Sequence, residues 1–243
     1  MINNILLSYP RSGNHLVRFF IELLSETPTY GCIENITDLP IYKNEFIEHI
    51  PFNIVSSNDS SNVSSNDSSN DSNKKDKTES YTKYHTPPNH KHDNLIFIIR
   101  NPKEVLLRNC NYKIDITSWD SYETYFNLID YYINFTGNKI CFFYEDIITY
   151  KIKFIEELYS FLHIKNESKK QYILENIEKL YELSKTGKNR DWGGVTSNSI
   201  NFYYNKINIH TDKHDNFKYK FDTYIKDKID TQKYNLIKNK YDL

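Results

Sequence analysis

An apolar run that enters a tight turn and then an amphipathic pattern begins the chain, and this order most constrains the fold. Residues 5–7 are apolar, and the turn at residues 8–15 contains Pro10 and Gly13. The apolar residues that follow recur at the spacing of one helix face: Leu16, Phe19, Phe20, Leu23 and Leu24. The pattern predicts a strand, a loop and a helix in succession. The loop then presents backbone N–H groups at the N-terminus of the helix.

This loop has the chemistry of an anion-binding site. Backbone N–H groups and the positive end of the helix dipole attract phosphate or sulfate. Arg11, Ser12 and Asn14 add side-chain donors at the same place. The loop is not a Walker A motif, which requires an earlier glycine and a lysine before its Ser or Thr. A strand-to-helix turn with an exposed arginine is the alternative interpretation of the loop alone.

Length and charge limit the classes of protein to which the chain can belong. Its 243 residues suit one α/β domain with a substantial core. The net charge of −1 and the isoelectric point near 6.7 provide no overall basic field, so we expect a local anion site and no nucleic-acid partner. No apolar run approaches the length of a membrane span, so we expect no membrane partner.

The cysteines and the N-terminus favour a reducing compartment. Cys32, Cys110 and Cys141 are widely spaced and odd in number, which argues against a disulfide framework and against a structural zinc site. The first predicted strand follows Met1 too closely for a signal peptide to precede it. We therefore expect a cytoplasmic protein.

A low-complexity segment interrupts the chain. From residue 56 to residue 73 every residue except Val63 is Ser, Asn or Asp, and charged residues continue the segment. Such a composition cannot bury a core, so we expect residues 56–80 to be a disordered insertion. The apolar run at residues 95–99 lies beyond it and needs neighbouring strands from the first part of the chain. The insertion is therefore predicted to interrupt one domain, residues 1–243.

Two further apolar runs predict a parallel sheet. Residues 95–99 and 140–144 are continuous apolar runs, which are typical of strands that are buried on both faces. A helix is predicted after each run, and Pro102 opens the first of these helices. Three strand-to-helix units indicate an α/β fold, a central parallel sheet flanked by helices. Ligands of such sheets bind at the carboxyl ends of the strands, where Arg100 and Tyr144 join the loop.

Periodic apolar positions predict more helices in the second half of the chain. One helix follows the run at residues 140–144 and is predicted from Ile152, Ile155, Leu158, Tyr159 and Leu162. Residues 171–183 and 221–240 also have helical patterns.

Five separated stretches, in the same order, resemble the sulfotransferases that use 3'-phosphoadenosine 5'-phosphosulfate (PAPS). Residues 8–14 are similar to the 5'-phosphosulfate loop of that family. The resemblance implies that Arg11 contacts the 5'-phosphate and the transferring sulfuryl group, and so acts in catalysis. A fixed positive charge there would neutralise the oxygen on which charge grows as the S–O bond breaks. The cofactor-binding residues that the resemblance implies in the loop are Pro10, Arg11, Ser12, Gly13, Asn14 and His15.

The segment Lys83-Tyr84-His85-Thr86-Pro87 resembles the Lys-Thr-His-Leu-Pro segment of the same family. The resemblance implies that His85 is the general base that deprotonates the acceptor and that Lys83 stabilises developing charge. An imidazole with an ordinary pKa of about 6.5 is a neutral base at neutral pH. Two alternatives remain: His85 is a surface residue of a polar segment, or it binds a metal with His90 and His92.

Two motifs resemble the nucleotide-binding motifs of the family. Residues 100–105 are similar to its Arg-Asn-Pro-Lys-Asp-Val motif, which implies that Arg100 binds the 3'-phosphate. Arg108 stands where the family has a serine, and it is the candidate for the same contact; contact by Asn109 and loss of the contact are the alternatives. Residues 144–147 are similar to Tyr-Glu-Asp-Leu, which implies that Tyr144 lies near the adenine.

A later basic stretch resembles the segment that closes over the 3'-phosphate. Residues 185–192 carry this resemblance, which implies that Lys185, Thr186 and Gly187 bind the cofactor. Thr186 replaces a lysine of the family, so the basic clamp has one charge fewer, which Lys188 and Arg190 could compensate. An ordinary solvated basic loop is the alternative interpretation of this stretch. The Thr-Ser-Phe adenine segment of the family has no counterpart between Tyr144 and Lys185.

The resemblance as a whole implies an enzyme that moves a sulfuryl group from PAPS to a hydroxyl or amine acceptor and releases 3',5'-adenosine bisphosphate (PAP). No metal is expected. The implied partner is a small-molecule or carbohydrate acceptor, with a homodimer as an option. A protein that binds the nucleotide without turnover is the first alternative, because of Arg108, Thr186 and the missing adenine segment. A P-loop-type kinase is the second, opposed by the absence of the Walker A lysine.

The acceptor pocket would be built from residues 33–55 and 119–132. Aromatic residues of the second segment either line this pocket or pack in the core, and helical spacing favours the core. These residues are Trp119, Tyr122, Tyr125 and Phe126.

Overall fold

A five-stranded parallel sheet lies at the centre of the described part of the chain. The computed structural model describes residues 4–27, 29–31, 81–89, 91–109, 120–186, 212–229 and 232–243. The strands are β1 (Asn4–Ser8), β2 (Tyr30–Gly31), β3 (Tyr81–Tyr84), β4 (Asn94–Ile99) and β5 (Asn138–Phe143). Their order across the sheet is β2-β3-β1-β4-β5.

Helices cover both faces of this sheet. In chain order they are α1 (Asn14–Ser25), α2 (Pro102–Asn109), α3 (Asp120–Asn134), α4 (Tyr144–Thr149), α5 (Lys151–Phe161), α6 (Glu167–Glu175), α7 (Ile177–Thr186), α8 (Asp212–Ile229) and α9 (Asn235–Tyr241). A 3-10 turn at Gln232–Tyr234 precedes α9. Helices α1, α5, α6 and α7 form one hydrophobic core with the sheet, and α2, α3, α8 and α9 form the other. The fold is α/β, as the sequence predicts.

The two central strands have apolar runs because helices cover both of their faces. Leu6 of β1 lies beside Ile96 of β4, and both belong to the core that contains α1. Ile5 and Leu7 alternate with Leu6 and belong to the opposite core. All four side chains are fully buried. A strand that is buried on both faces reads as a continuous apolar run.

The strand order places a topological switch point beside β1. This strand lies between β3 and β4, and the helices that follow β1 and β4 pack on opposite faces of the sheet. Ligand sites of α/β sheets form at such a point, outside the carboxyl ends of the strands. Here those ends lead into residues 9–13, His85 and Arg100.

Three asparagines fix the register of the strands at the opposite end of the sheet. Asn94 Nδ2 donates to Asn4 Oδ1 at 2.7 Å, and Asn138 Nδ2 donates to Asn94 Oδ1 at 3.2 Å. The same residues are register partners in β1, β4 and β5. This side-chain ladder therefore helps to set where each strand ends at the ligand side.

The predicted strands β1, β4 and β5 and the helix start at Pro102 are confirmed, but some helix predictions were wrong. The helix predicted from the spacing of Ile152, Ile155, Leu158, Tyr159 and Leu162 is confirmed as α5, although Ile152 itself is 54% exposed because it lies at the edge of the buried face. Residues 171–183 span two helices, because the backbone of Asn176 leaves the helical conformation (φ −111°, ψ 16°) and its side chain also donates to the Tyr172 carbonyl at the end of α6. Residues 221–240 likewise span α8, the 3-10 turn and α9.

Some predictions fall outside the residues that the structure describes. Residues 56–80, Gly187 and His90 are among them. The insertion and the extent of the single domain therefore stay predictions. None of the helices in the described ranges is long and apolar enough to cross a membrane.

Candidate anion-binding site

The loop between β1 and α1 turns sharply at two residues. Arg11 has a φ of 72° and Gly13 a φ of 94°, both in the left-handed region. The Ser12 N–H donates to the Tyr9 carbonyl at 3.2 Å, and the Gly13 carbonyl accepts from the Leu16 N–H at 3.1 Å at the start of α1. Left-handed backbone costs a residue with a Cβ about 1–2 kcal/mol. Strained positions of this kind cluster at ligand sites.

Gly13 also allows an aromatic ring to pack on the loop. A Cβ atom at this position would lie 2.3 Å from Cδ2 and 2.7 Å from Cε2 of Tyr144. Tyr144 begins α4, so the first turn of this helix rests directly on the loop after β1. The glycine is therefore required twice, by its backbone conformation and by the ring.

We expect Gly13→Ala to destabilise the protein. The methyl group would meet the Tyr144 ring, and the alanine would hold a left-handed backbone. We expect a loss of about 2 kcal/mol or more in the free energy of unfolding. Urea unfolding measures this loss, and Asn127→Ala on an exposed position of α3 is the control. An unchanged unfolding midpoint for Gly13→Ala would contradict the packing of Tyr144 on the loop.

Three buried side-chain atoms around the loop lack a hydrogen-bond partner within the described ranges: Ser12 Oγ, Asn14 Oδ1 and Arg100 Nε. Ser12 is 0% exposed, and Asn14 and Arg100 are each 5% exposed. Nearly all buried polar groups are paired, because an unpaired one costs about 1–3 kcal/mol. The three atoms are therefore candidates for ligand contacts.

Asn14 can offer either end of its amide to a ligand. Its Nδ2 donates to Ser8 Oγ at 2.9 Å, which leaves Oδ1 unpaired. The Ser8 hydroxyl can donate as well as accept. If the amide is rotated by 180°, Oδ1 accepts from this hydroxyl and Nδ2 takes the position that lacks a partner. The reversed amide is the one that would suit an anion.

Arg100 lies at the end of β4 with its charge buried. Its Nη1 donates to the Arg11 carbonyl at 3.2 Å, and its Cζ lies 4.1 Å from the centroid of the Tyr144 ring. The Tyr125 hydroxyl donates to the Arg100 carbonyl at 2.8 Å and fixes the backbone. No carboxylate of the described residues forms an ion pair with this guanidinium. A buried cation without a carboxylate partner favours an anionic ligand.

His85 follows β3 and contacts the end of β1. Its Nδ1 lies 2.6 Å from the Ser8 carbonyl oxygen. A carbonyl oxygen only accepts, so Nδ1 carries the proton and Nε2 keeps a lone pair. The pKa of His85 falls from 6.5 to about 4: burial is the main cause, the charge of Lys83 adds to it, and the Ser8 carbonyl opposes it. The imidazole is therefore neutral at neutral pH, with Nε2 able to accept a proton.

Glu145 joins the site to the C-terminal helix. Its Oε1 accepts from the Asn101 N–H at 3.1 Å, and its Oε2 accepts from the Tyr241 hydroxyl at 2.7 Å. Burial, and then the Glu145 carboxylate, raise the pKa of Tyr241 well above its ordinary value. Asn101 directly follows Arg100 and accepts from the Lys103 N–H at 3.0 Å through Oδ1, which caps α2. The carboxylate thus holds the backbone that carries Arg100.

Sequence reasoning missed Tyr181 of α7 as a neighbour of the site. Burial raises its pKa to about 12, Tyr144 adds to the rise, and Arg100 opposes it. Tyr181 belongs to the core against which Tyr144 packs. Lys151 Nζ lies 4.8 Å from the centroid of its ring. Tyr181 carries only the ordinary helical spacing of a core residue, so no signal in the sequence distinguished it.

The remaining predicted site residues lie in several elements. Pro10 is half-buried and His15 is exposed on the first turn of α1. Lys83 lies in β3, beside Leu6 in the register of the sheet. Arg108 belongs to α2, and Lys185 and Thr186 form the end of α7.

The aromatic residues of α3 belong to the core, as their spacing favours. Tyr122 packs edge-to-face on Phe221 at 6.2 Å, and Tyr125 packs in the same way on Tyr9 at 5.6 Å. Phe126 is also buried in this core. Across the described residues, no group of three or more His, Cys, Asp or Glu side chains has the arrangement of a metal site.

The protein is similar in structure to the mouse sulfotransferase SULT7A1, whose crystal structure contains PAP. The similarity covers 98% of this chain and 87% of that chain, with a TM-score of 0.54 and 17% sequence identity. No protein-family model matches the sequence, and no curated protein sequence is significantly similar to it. At this identity the similarity establishes a sulfotransferase-like fold.

Proposed function

We propose that this protein is a sulfotransferase that moves a sulfuryl group from PAPS to a hydroxyl or amine acceptor. The observation that carries the proposal is the set of buried, unpaired polar atoms of Ser12, Asn14 and Arg100 around the loop after β1. The sulfotransferase-like fold and the binding of PAP by the mouse enzyme support it. The acceptor in this proposal is a small molecule or a carbohydrate.

Each end of the donor nucleotide has its own residues in this proposal. The loop holds the 5'-phosphosulfate through Arg11, Ser12 and Asn14 and through its backbone N–H groups, flanked by Pro10 and His15. Arg100 binds the 3'-phosphate. The other residues assigned to the 3'-phosphate end are Arg108, Lys185, Thr186 and Gly187. The unpaired Ser12 Oγ and Arg100 Nε fit this division, because both are donors.

His85, Lys83 and Arg11 carry the chemistry. PAPS supplies the sulfuryl group when it is bound. Nε2 of His85 accepts the proton of the acceptor as the acceptor oxygen or nitrogen bonds to sulfur. Arg11 neutralises the bridging oxygen as its bond to sulfur breaks, and Lys83 adds positive charge nearby. Arginine does not donate its proton, so Arg11 acts through charge and hydrogen bonds alone.

A protein that binds the nucleotide without turnover is the second candidate. Arg108 in place of a serine and Thr186 in place of a lysine favour it, because both changes fall on the 3'-phosphate end. Binding of PAP without sulfuryl transfer to a panel of phenols, alcohols and amines would identify this function.

Isothermal titration with PAP tests the proposed function. We expect one nucleotide per chain with micromolar affinity, and weaker binding of adenosine 5'-monophosphate (AMP), which lacks the 3'-phosphate. ATP with magnesium is the control for a kinase. An absence of PAP binding at millimolar concentration would contradict the proposal.

A further inference from the structure

Tyr144 lies between the two ends of the proposed nucleotide site. One part of its ring packs on Gly13, where a Cβ atom would lie 2.3 Å from ring carbon Cδ2. The guanidinium carbon of Arg100 lies 4.1 Å from the ring centroid. Arg100 is tied to the same loop by the bond from Nη1 to the Arg11 carbonyl. The ring therefore joins the loop to the arginine at the end of β4.

A ring holds an arginine without occupying its hydrogen-bond donors. The guanidinium donors lie in its plane, whereas a cation–π contact uses its face. A carboxylate partner would take up two donors and neutralise the charge. With Tyr144 as its partner, Arg100 keeps Nε unpaired inside the protein. This arrangement fixes the side chain and leaves its charge available to an anion.

We infer that Tyr144 is a positioning residue that holds Arg100 in place for the 3'-phosphate of the nucleotide. The inference rests on the proposed function. Tyr144 acts through Arg100 in this view, whereas the sequence resemblance implies a position beside the adenine. The consequence is selective: loss of the ring weakens the binding of nucleotides that carry a 3'-phosphate and spares those that lack it.

The experiment compares PAP with AMP on single variants of the full chain. We expect Tyr144→Leu to weaken PAP binding by about 10-fold and to change AMP binding by less than about twofold. Tyr144→Phe keeps an aromatic face, so it should bind both ligands like wild type within about threefold. Tyr150→Leu replaces an exposed tyrosine at the end of α4 and is the matched control. Tyr144→Met carries the same prediction as Tyr144→Leu if the leucine variant does not fold.

A double-mutant cycle with Arg100→Met separates positioning from other roles. In the Arg100→Met background, Tyr144→Leu should cause no further loss of PAP affinity, because the group that it positions is gone. Equal losses for PAP and AMP in the single variant, or additive losses in the cycle, would overturn the inference and leave the proposed function intact. If the wild-type protein does not bind PAP, the proposed function fails and the inference fails with it.

Discussion

Replacing His85 by asparagine is expected to slow sulfuryl transfer from PAPS by about 10²–10⁴-fold, while PAP affinity stays within about threefold of wild type. The asparagine amide has a nitrogen at the position of Nδ1, so it can keep the hydrogen bond to the Ser8 carbonyl. It has no group that accepts a proton in place of Nε2. The variant therefore removes the base and retains the contact that links β3 to β1.

The pH dependence of this variant gives a second readout. The pKa of His85 is about 4 in the folded protein and 6.5 ordinarily, so the unfolded chain takes up the proton first as the pH falls. This group's contribution to stability is complete above pH 6.5 and is lost as the pH falls toward 4, by up to about 3 kcal/mol. His85→Asn should lack that part of the acid sensitivity in urea unfolding. In the wild type, kcat/KM should hold steady down to about pH 5.

Two results would argue against His85 as the base. One is a variant that keeps full turnover with an acceptor that the wild type uses. The other is a wild-type kcat/KM that falls below pH 6.5 and so follows the ordinary pKa of histidine. Kinetics should be measured with both a phenol and an amine as acceptor. The two acceptors ionise at different pH, so the comparison separates the ionisation of the acceptor from that of His85.

The fold could be predicted because its central strands are buried on both faces. Burial on both faces gives β1, β4 and β5 continuous apolar runs, which can be recognised in the sequence, and each run precedes a helix. β3 was not predicted as a strand, because Lys83 interrupts the short segment Tyr81–Tyr84, whose residues are only partly buried after Tyr81. Helix ends were also missed, since the break at Asn176 depends on local hydrogen bonds that leave the apolar period unchanged.

The candidate site was only partly predictable. The loop after β1 and Arg100 after β4 follow from the position of strand ends in an α/β sheet. His85 came from the family resemblance alone. The contacts of Tyr144 with Gly13 and of Tyr241 with Glu145 join residues that lie far apart in the chain. No local pattern encodes such contacts, because they depend on how separate helices pack.

Replacing Arg100 by methionine is expected to weaken PAP binding by about 100-fold or more without lowering the free energy of unfolding. Among the described residues, the Arg100 side chain makes one hydrogen bond, to the Arg11 carbonyl, and a contact with the Tyr144 ring. Arg100 is 5% exposed, and no carboxylate of the described residues forms an ion pair with it. The folded protein therefore carries the free-energy cost of removing this charge from water. A methionine of similar length removes that cost and still packs on the ring. Titration with PAP and urea unfolding measure the two effects.

Arg18 is the matched control, because it is a similarly buried arginine whose guanidinium makes two hydrogen bonds to one internal residue, Thr29. It is 0% exposed, its Nε donates to Thr29 Oγ1 at 2.7 Å, and its Nη2 donates to the Thr29 carbonyl at 3.1 Å. Glu22, also buried, accepts from the Thr29 N–H at 2.9 Å. Arg18→Met removes the two bonds to Thr29, the residue that also contacts the buried Glu22 carboxylate, so we expect a loss of about 3 kcal/mol in stability.

The contrast between the two arginines distinguishes a binding role from a structural one. A buried cation that serves the fold spends its donors on the fold, as Arg18 does on Thr29. The Arg100 side chain makes a single hydrogen bond among the described residues, to the Arg11 carbonyl, so less of its guanidinium is committed to the fold. Equal destabilisation by the two methionine variants would show that Arg100 supports the fold. Retained PAP affinity in Arg100→Met would place the 3'-phosphate elsewhere, because no neutral side chain replaces a guanidinium opposite a phosphate dianion.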